Sequence, residues 1–207
     1  MQLLFLPEHL GGMGGGAVHE RRETLHACGW VLLAAALPAA PPPEEPPGER
    51  PGVTSPEVYG VFFYGPSFRV LEAGWRHGEG AVGREPLNLP LHPLPPGAPG
   101  ATDPRRLELC FQLAAAWRLG RDGNLGLPRS CDRISWGLAA DAGAPPAVAI
   151  VEPRDDGAFD ARVLDREGRR LLTLTGYRTV ALPGTVDGGA VRPFRAALAD
   201  AAPVGAA

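Results

Sequence analysis

The chain has no lysine: all 20 of its basic residues are arginine. Schiff-base chemistry and a phosphate-gripping P-loop lysine are therefore excluded. Cysteine is scarce and odd in number. Cys28, Cys110 and Cys131 form neither a disulfide framework nor a spacing that holds metal, and a reduced, cytoplasmic setting fits them best. There is no Gly-x-Ser-x-Gly elbow, no Cys-x-x-Cys, no His-Glu-x-x-His and no Gly-x-Gly-x-x-Gly between a strand and a helix. Charge of one sign is also lacking. The net charge is −3 and the arginines are scattered, which argues against a nucleic-acid partner. Long apolar runs are missing too. The run within Arg21 to Leu37 is far too short to span a bilayer, and Met1 to Gly16 lacks the basic start of a signal peptide and reads as a frayed or replaced terminus.

What the chain does have is one dominant helix, Thr102 to Gly120. Asp103 can cap its first turn, Pro104 suits the first helical position, and Gly120 suits the position past the end. From Leu107 to Leu119 it is apolar on nearly every side, so burial is expected. The polar exceptions before Arg118 are Glu108 and Gln112, four residues apart and on one face. Two readings stand side by side. Glu108 sits at a wet edge and is satisfied by Gln112 or an arginine, or it is a general acid whose proton is retained by burial and oriented by Gln112.

The other segments supply strands and breaks. Residues 41–56 are rich in proline and read as an extended spacer, and a second proline-rich loop delivers the chain into the helix. Glu57 to Phe63 reads as a strand or short helix, turned at Tyr64-Gly65-Pro66. Ser67 to Trp75 reads as a strand broken at Gly74, with two short strands between Gly80 and Leu89. Strands follow at Leu127–Leu138, Ala147–Glu152, Phe159–Leu164 and Leu171–Val180. The last two form a hairpin in which Gly168 supplies positive φ. Residues beyond Asp187 are Ala-rich and read as loose. A long buried helix followed by antiparallel strands predicts an α+β hot-dog fold, a sheet wrapped around a helix.

Four stretches go further than this pattern: GVFFYGPSF at Gly60 to Phe68, LELCFQ at Leu107 to Gln112, LPRSCDRISW at Leu127 to Trp136, and DREGRRLLTLTGYRTV at Asp165 to Val180. In order and spacing they resemble the dehydratase domains of modular polyketide synthases. The resemblance implies the second half of a double hot dog, two such folds fused side by side with a catalytic His from the first and an acid from the second. It implies removal of water from a β-hydroxyacyl thioester carried on the phosphopantetheine of an acyl carrier protein, with no other cofactor and no metal. By position Glu108 matches the acid, Gln112 its hydrogen-bonding companion and Tyr64 a polar group at the tunnel mouth. Gly65 and Pro66 would shape the turn, and Phe68, Leu127, Pro128 and Trp136 would line the tunnel. Tyr64 and Trp136 also fit as ordinary core aromatics.

Two departures accompany the resemblance. The acid is Glu where the family usually has Asp, and the His-x-x-x-Gly-x-x-x-x-Pro motif is absent, since none of His9, His19, His26, His77 and His92 is followed by Gly at the fourth place. Arg21 to Leu37 reads as a strand, and Arg21 to Pro42 resembles the last strand of the first hot dog and the linker out of it, which makes residues 1–40 a remnant of that first fold. The implied organisation is that remnant with a loose N-terminus, the linker 41–56, a dehydratase-like hot dog over 57–183 and a flexible tail over 184–207. The base would come from a separate first half or from elsewhere in a longer synthase; a homodimer with helices back to back is a further option. The competing readings are a product-template-like polyketide cyclase and a non-catalytic half-domain that serves structure or carrier-protein docking.

Overall fold

The computed structural model describes residues 29–30, 41–90, 104–137 and 146–199. The chain divides into two compact units, Met1–Ala39 and Ala40–Ala207, and the second carries nearly all the described residues. The expected strand at Arg21–Leu37, except for Gly29 and Trp30, lies outside the described residues, as do the cap at Asp103, the loop joining Leu91 to Asp103, and His9, His19, His26 and His92.

The second unit is an antiparallel sheet wrapped on one helix, α2, at Pro104–Asp122. The strands are β1 (Val53–Thr54), β2 (Ala73–His77), β3 (Gly80–Arg84), β4 (Gly126–Ser130), β5 (Arg133–Trp136), β6 (Val148–Pro153), β7 (Phe159–Leu164) and β8 (Arg170–Ala181). Their order across the sheet is β1-β2-β3-β6-β7-β8-β4, with β5 also paired to β8. This is the hot-dog arrangement. Helix α2 packs on β3, β6, β7, β8 and β4, and Leu109, Cys110, Leu113, Ala114 and Leu119 are all fully buried against them. A 19-residue helix is about 28 Å long, enough to run the width of the sheet. It can lie so close because two paired glycines, Gly74 of β2 and Gly83 of β3, leave room for Leu113. A Cβ on Gly83 would stand 2.7 Å from Leu71 and 3.0 Å from Leu113. Gly74 therefore does not break its strand, contrary to the expectation; it continues β2 under the helix.

Three further expectations are corrected. Gly120 is not past the end of α2 but inside it. The helix runs to Asp122 and the left-handed residue is Gly123, at φ +71°. The single strand expected over Leu127–Leu138 is two strands, β4 and β5, which share one edge of the long β8. Pro128 has no N–H for the ladder, the register slips between Pro128 and Ser130, and Asp132 turns out to meet Arg178 at 2.8 Å. The tail is not loose throughout either. Asp187 caps a helix, α3, at Gly188–Leu198, accepting from the backbone N–H groups of Gly189 and Ala190. Val191, Phe194 and Leu198 face the core from it, at the spacing of one helical stripe.

The hairpin expected around Gly168 is present, with Gly168 at φ +76° and the buried Asp165 carboxylate accepting the N–H groups of Glu167 and Arg169. The Pro-rich segment is tied to it. Glu44 donates its N–H to Gly168 O, and its carboxylate pairs with Arg162 at 2.9 Å and Arg170 at 2.8 Å.

Candidate functional site

The first part of α2 carries the polar cluster. Glu108 is half-buried and Gln112, one turn on, is fully buried. A buried amide must find partners for both ends, and Gln112 does. Its Nε2 donates to Phe68 O at 2.8 Å and, more loosely, to Glu108 Oε1 at 3.3 Å, while its Oε1 accepts from the Tyr59 hydroxyl at 2.8 Å. Tyr59 in turn accepts the Leu71 N–H at 2.8 Å.

The elements that deliver these groups are short. Helix α1, Ser55–Tyr59, is fixed by a capping box in which Thr54 and Glu57 satisfy each other's ends, so Tyr59 projects from its last turn. Gly65 and Pro66 then start a single 3-10 turn, Pro66–Phe68, that aims the Phe68 carbonyl at Gln112. Gly65 and Pro66 are both exposed at the start of this turn. The part of Phe68 that meets the polar cluster is its backbone carbonyl.

Tyr64 also reaches the acid. Burial pushes its phenol pKa well above the ordinary value, and the Glu108 charge and a hydrogen bond to Glu108 push it further. Burial does the same to Tyr59 and Tyr177, again with a contribution from the Glu108 charge. The Cys110 thiol is pushed up to about 12 by burial and then by Glu108, so it is protonated and unreactive at neutral pH. Every phenol around Glu108 is therefore protonated and uncharged at neutral pH.

Tyr177 has no counterpart in the sequence reading. It lies on β8 just after a bulge where Asp160 of β7 faces both Thr175 and Gly176, and Gly176 takes φ +63°. Bulges of this kind re-aim the next side chain. The Tyr177 ring is turned inward and stacks on Phe111 of α2 at 4.5 Å, and its hydroxyl is buried without a hydrogen-bond partner among the described residues. Tyr59 was also missed, for a simpler reason: a tyrosine at the end of a five-residue helix looks like any half-buried aromatic.

The structure brings together Glu108, Gln112, Tyr64 and the Phe68 carbonyl, and adds Tyr59 and Tyr177. It does not tie Leu127, Pro128 or Trp136 to them by any hydrogen bond or ring contact among the described residues. Leu127 and Pro128 are exposed on β4, and Trp136, on β5, packs half-buried against the core. Of the histidines, His77 alone is described, exposed where β2 ends. Among the described residues no group of His, Cys, Asp and Glu could hold a metal.

A cavity of about 300 Å³ lies elsewhere, between Arg76, Glu79, Trp117, Arg121 and Arg195. Arg121 and Arg195 stand in the last turns of α2 and α3, where a cation offsets the negative helix end, and Glu108 is not among the lining residues.

Against known proteins, the family described as "Polyketide synthase dehydratase N-terminal domain" matches residues 38–188. The chain belongs to this polyketide synthase dehydratase family. No curated protein sequence matches it. Among solved structures it is similar to a dehydratase from work on substrate selection in the borrelidin and fluvirucin polyketide synthases, with 22% identity and a TM-score of 0.58 over 81% of this chain and 59% of that one. It is also similar to the dehydratase domain from the CurF module of curacin polyketide synthase, with 20% identity and a TM-score of 0.50 over 64% of this chain and 48% of that one. The dehydratase fold is thus shared with both, and the chain spans about half the length of the solved dehydratase domains it matches.

Proposed function

We propose that the chain is the acid-bearing half of a polyketide synthase dehydratase, acting on a β-hydroxyacyl thioester held on the phosphopantetheine arm of an acyl carrier protein. The observation that carries this is the Glu108 carboxyl, half-buried and held at Oε1 by an amide whose own orientation is fixed. Although the matched family is described as an N-terminal domain, the Glu-x-x-x-Gln helix follows the pattern of the half that supplies the acid.

In the step proposed, a base takes the α-proton, which the thioester carbonyl acidifies, and Glu108 gives its proton to the β-oxygen. The Cβ–O bond breaks, water leaves, and a Cα=Cβ double bond forms. The base ends protonated and Glu108 ionised, so one proton returns between them per turnover. Tyr64, kept protonated by its surroundings, donates to the carboxylate as charge develops there. The base is a histidine of a second hot dog, in a separate chain, a second copy or another part of a synthase in the cytoplasm. His77 does not suit this role: it sits at the β2–β3 hairpin that Trp117 meets through Glu79 O, and Trp117 is nine residues, about 13 Å, along α2 from Glu108.

The test supplies a β-hydroxyacyl carrier protein to the purified chain, alone and with a His-bearing hot-dog half, and follows loss of water by mass spectrometry. The mixture is expected to turn over, Glu108→Ala to lower the rate by about 10²–10⁴, and His77→Ala to leave it unchanged. The second reading is a half-domain that only supports its neighbours. It gains if no mixture of folded chains turns over.

A further inference from the structure

We infer that Tyr59 is a positioning residue for Glu108, acting through Gln112, and that it leaves Oε2 as the carboxyl oxygen that carries the proton. This rests on the reading of Glu108 as the acid. The reasoning starts from Phe68. Its carbonyl can only accept, so the Gln112 group 2.8 Å away is the NH₂ end of the amide. That turns Gln112 Oε1 toward Tyr59. The Tyr59 oxygen already accepts the Leu71 N–H, so its own hydrogen is free to point at Gln112 Oε1, 2.8 Å away. With the amide locked at both ends, the remaining Nε2 hydrogen is aimed at Glu108 Oε1. A proton on Oε1 would crowd that hydrogen, whereas the Tyr64 hydroxyl bonded to Glu108 can turn to accept a proton as well as donate one. The acid form therefore carries its proton on Oε2, the oxygen Gln112 does not touch.

Tyr59 is itself held. The Arg69 guanidinium lies 5.3 Å from its ring centroid and donates to Tyr64 O at 3.1 Å, linking the two tyrosines. Burial keeps the Tyr59 hydroxyl protonated, which its role as donor requires.

The full chain carries four side-chain amides, Gln2, Asn88, Gln112 and Asn124, so their NH₂ signals can be separated by NMR. In the unaltered protein the Gln112 NH₂ is expected to exchange with solvent at least roughly tenfold more slowly than those of the exposed Asn88 and Asn124, since it is buried and doubly bonded. In Tyr59→Phe, the Glu108 carboxyl ¹³C resonance shifts; in a Gln112→Ala background the same substitution leaves it unmoved. A merely structural Tyr59 would act in both backgrounds. Rapid exchange of the Gln112 NH₂, a Glu108 resonance indifferent to Tyr59→Phe, or equal shifts in the two backgrounds each overturn the inference. Should Tyr59→Phe fail to fold, the exchange rates of the unaltered chain still decide. Turnover reports separately: in the complemented mixture Tyr59→Phe lowers kcat by about tenfold with KM unchanged. The NMR pattern with no turnover in any mixture sinks the dehydratase reading and leaves the Tyr59 arrangement standing.

Discussion

Three tyrosines are all the chain has, and all three feel the charge of one carboxylate. Their hydroxyls differ in one respect that stability can read. Tyr59 has two hydrogen bonds; Tyr177 has none among the described residues. Removing a paired buried group strands its partners, whereas removing an unpaired one strands nothing. Tyr59→Phe, which orphans the Leu71 N–H and the Gln112 carbonyl, is expected to cost about 1–2 kcal/mol. Tyr177→Phe keeps the ring stack on Phe111 and is expected to be neutral or to stabilise by roughly 1 kcal/mol. Urea midpoints with unchanged m-values measure both. A Tyr177→Phe midpoint that falls as far as that of Tyr59→Phe would mean the hydroxyl is paired after all.

The glycines of α2 and β8 belong to the element scale, because each sets where one element meets another. A Cβ on Gly120 would come within 2.6 Å of the Phe194 carbonyl oxygen and 2.9 Å of its carbon, so α2 and α3 touch backbone to backbone there. Alanine in a helix interior ordinarily gains about 1 kcal/mol over glycine. At Gly120 the sign reverses: the two helices must part, and Gly120→Ala is expected to destabilise by about 1–3 kcal/mol. Thermal unfolding checks this, and a raised Tm would show that α3 does not pack as described. The same contact explains what the sequence could and could not tell. The α2 helix, the strand β7 and the β7–β8 hairpin were legible because their signals are local: an apolar run with Pro at its start, alternation, and Gly168 in the turn. Gly120 as a helix end was the natural local reading, and only the packing of α3 overturns it. That packing was itself hidden, since Val191, Phe194 and Leu198 are spread through an Ala- and Gly-rich stretch. In the site, Glu108 and Gln112 stood out by being polar where their neighbours are apolar. Tyr59 and Tyr177 did not, because their roles come from α1's capping and a bulge opposite Asp160, neither of which leaves a mark in spacing.

At the scale of the whole molecule, the proline-rich segment is less a spacer than a strap, and its hold is electrostatic. Burial works to raise the Glu44 carboxyl pKa, but the hydrogen bonds and charges of Arg170 and Arg162 outweigh it and hold the group below its ordinary value of 4.5. A carboxyl with a lower pKa in the folded state binds fewer protons there than in the unfolded chain, so acid favours unfolding. Its contribution is complete above about pH 4.5 and is lost as pH falls through the folded value. Glu44 and both arginines are a fifth to a third exposed, so the pair is worth about 1 kcal/mol and no more. Glu44→Gln is therefore expected to lower Tm at pH 7 and to make progressively less difference as the pH drops below 4.5. The backbone bond from Glu44 N to Gly168 O survives the substitution, so the segment loosens without leaving. Gly168 cannot carry a side chain there, because a Cβ would overlap the Glu44 carbonyl. Gly168→Ala should consequently release the strap at any pH, so protease nicking within residues 41–50 would rise in that variant at every pH, whereas Glu44→Gln would show a smaller rise over the unaltered chain, confined to above about pH 4.5. If both variants respond alike at every pH, the hold is not the carboxylate's.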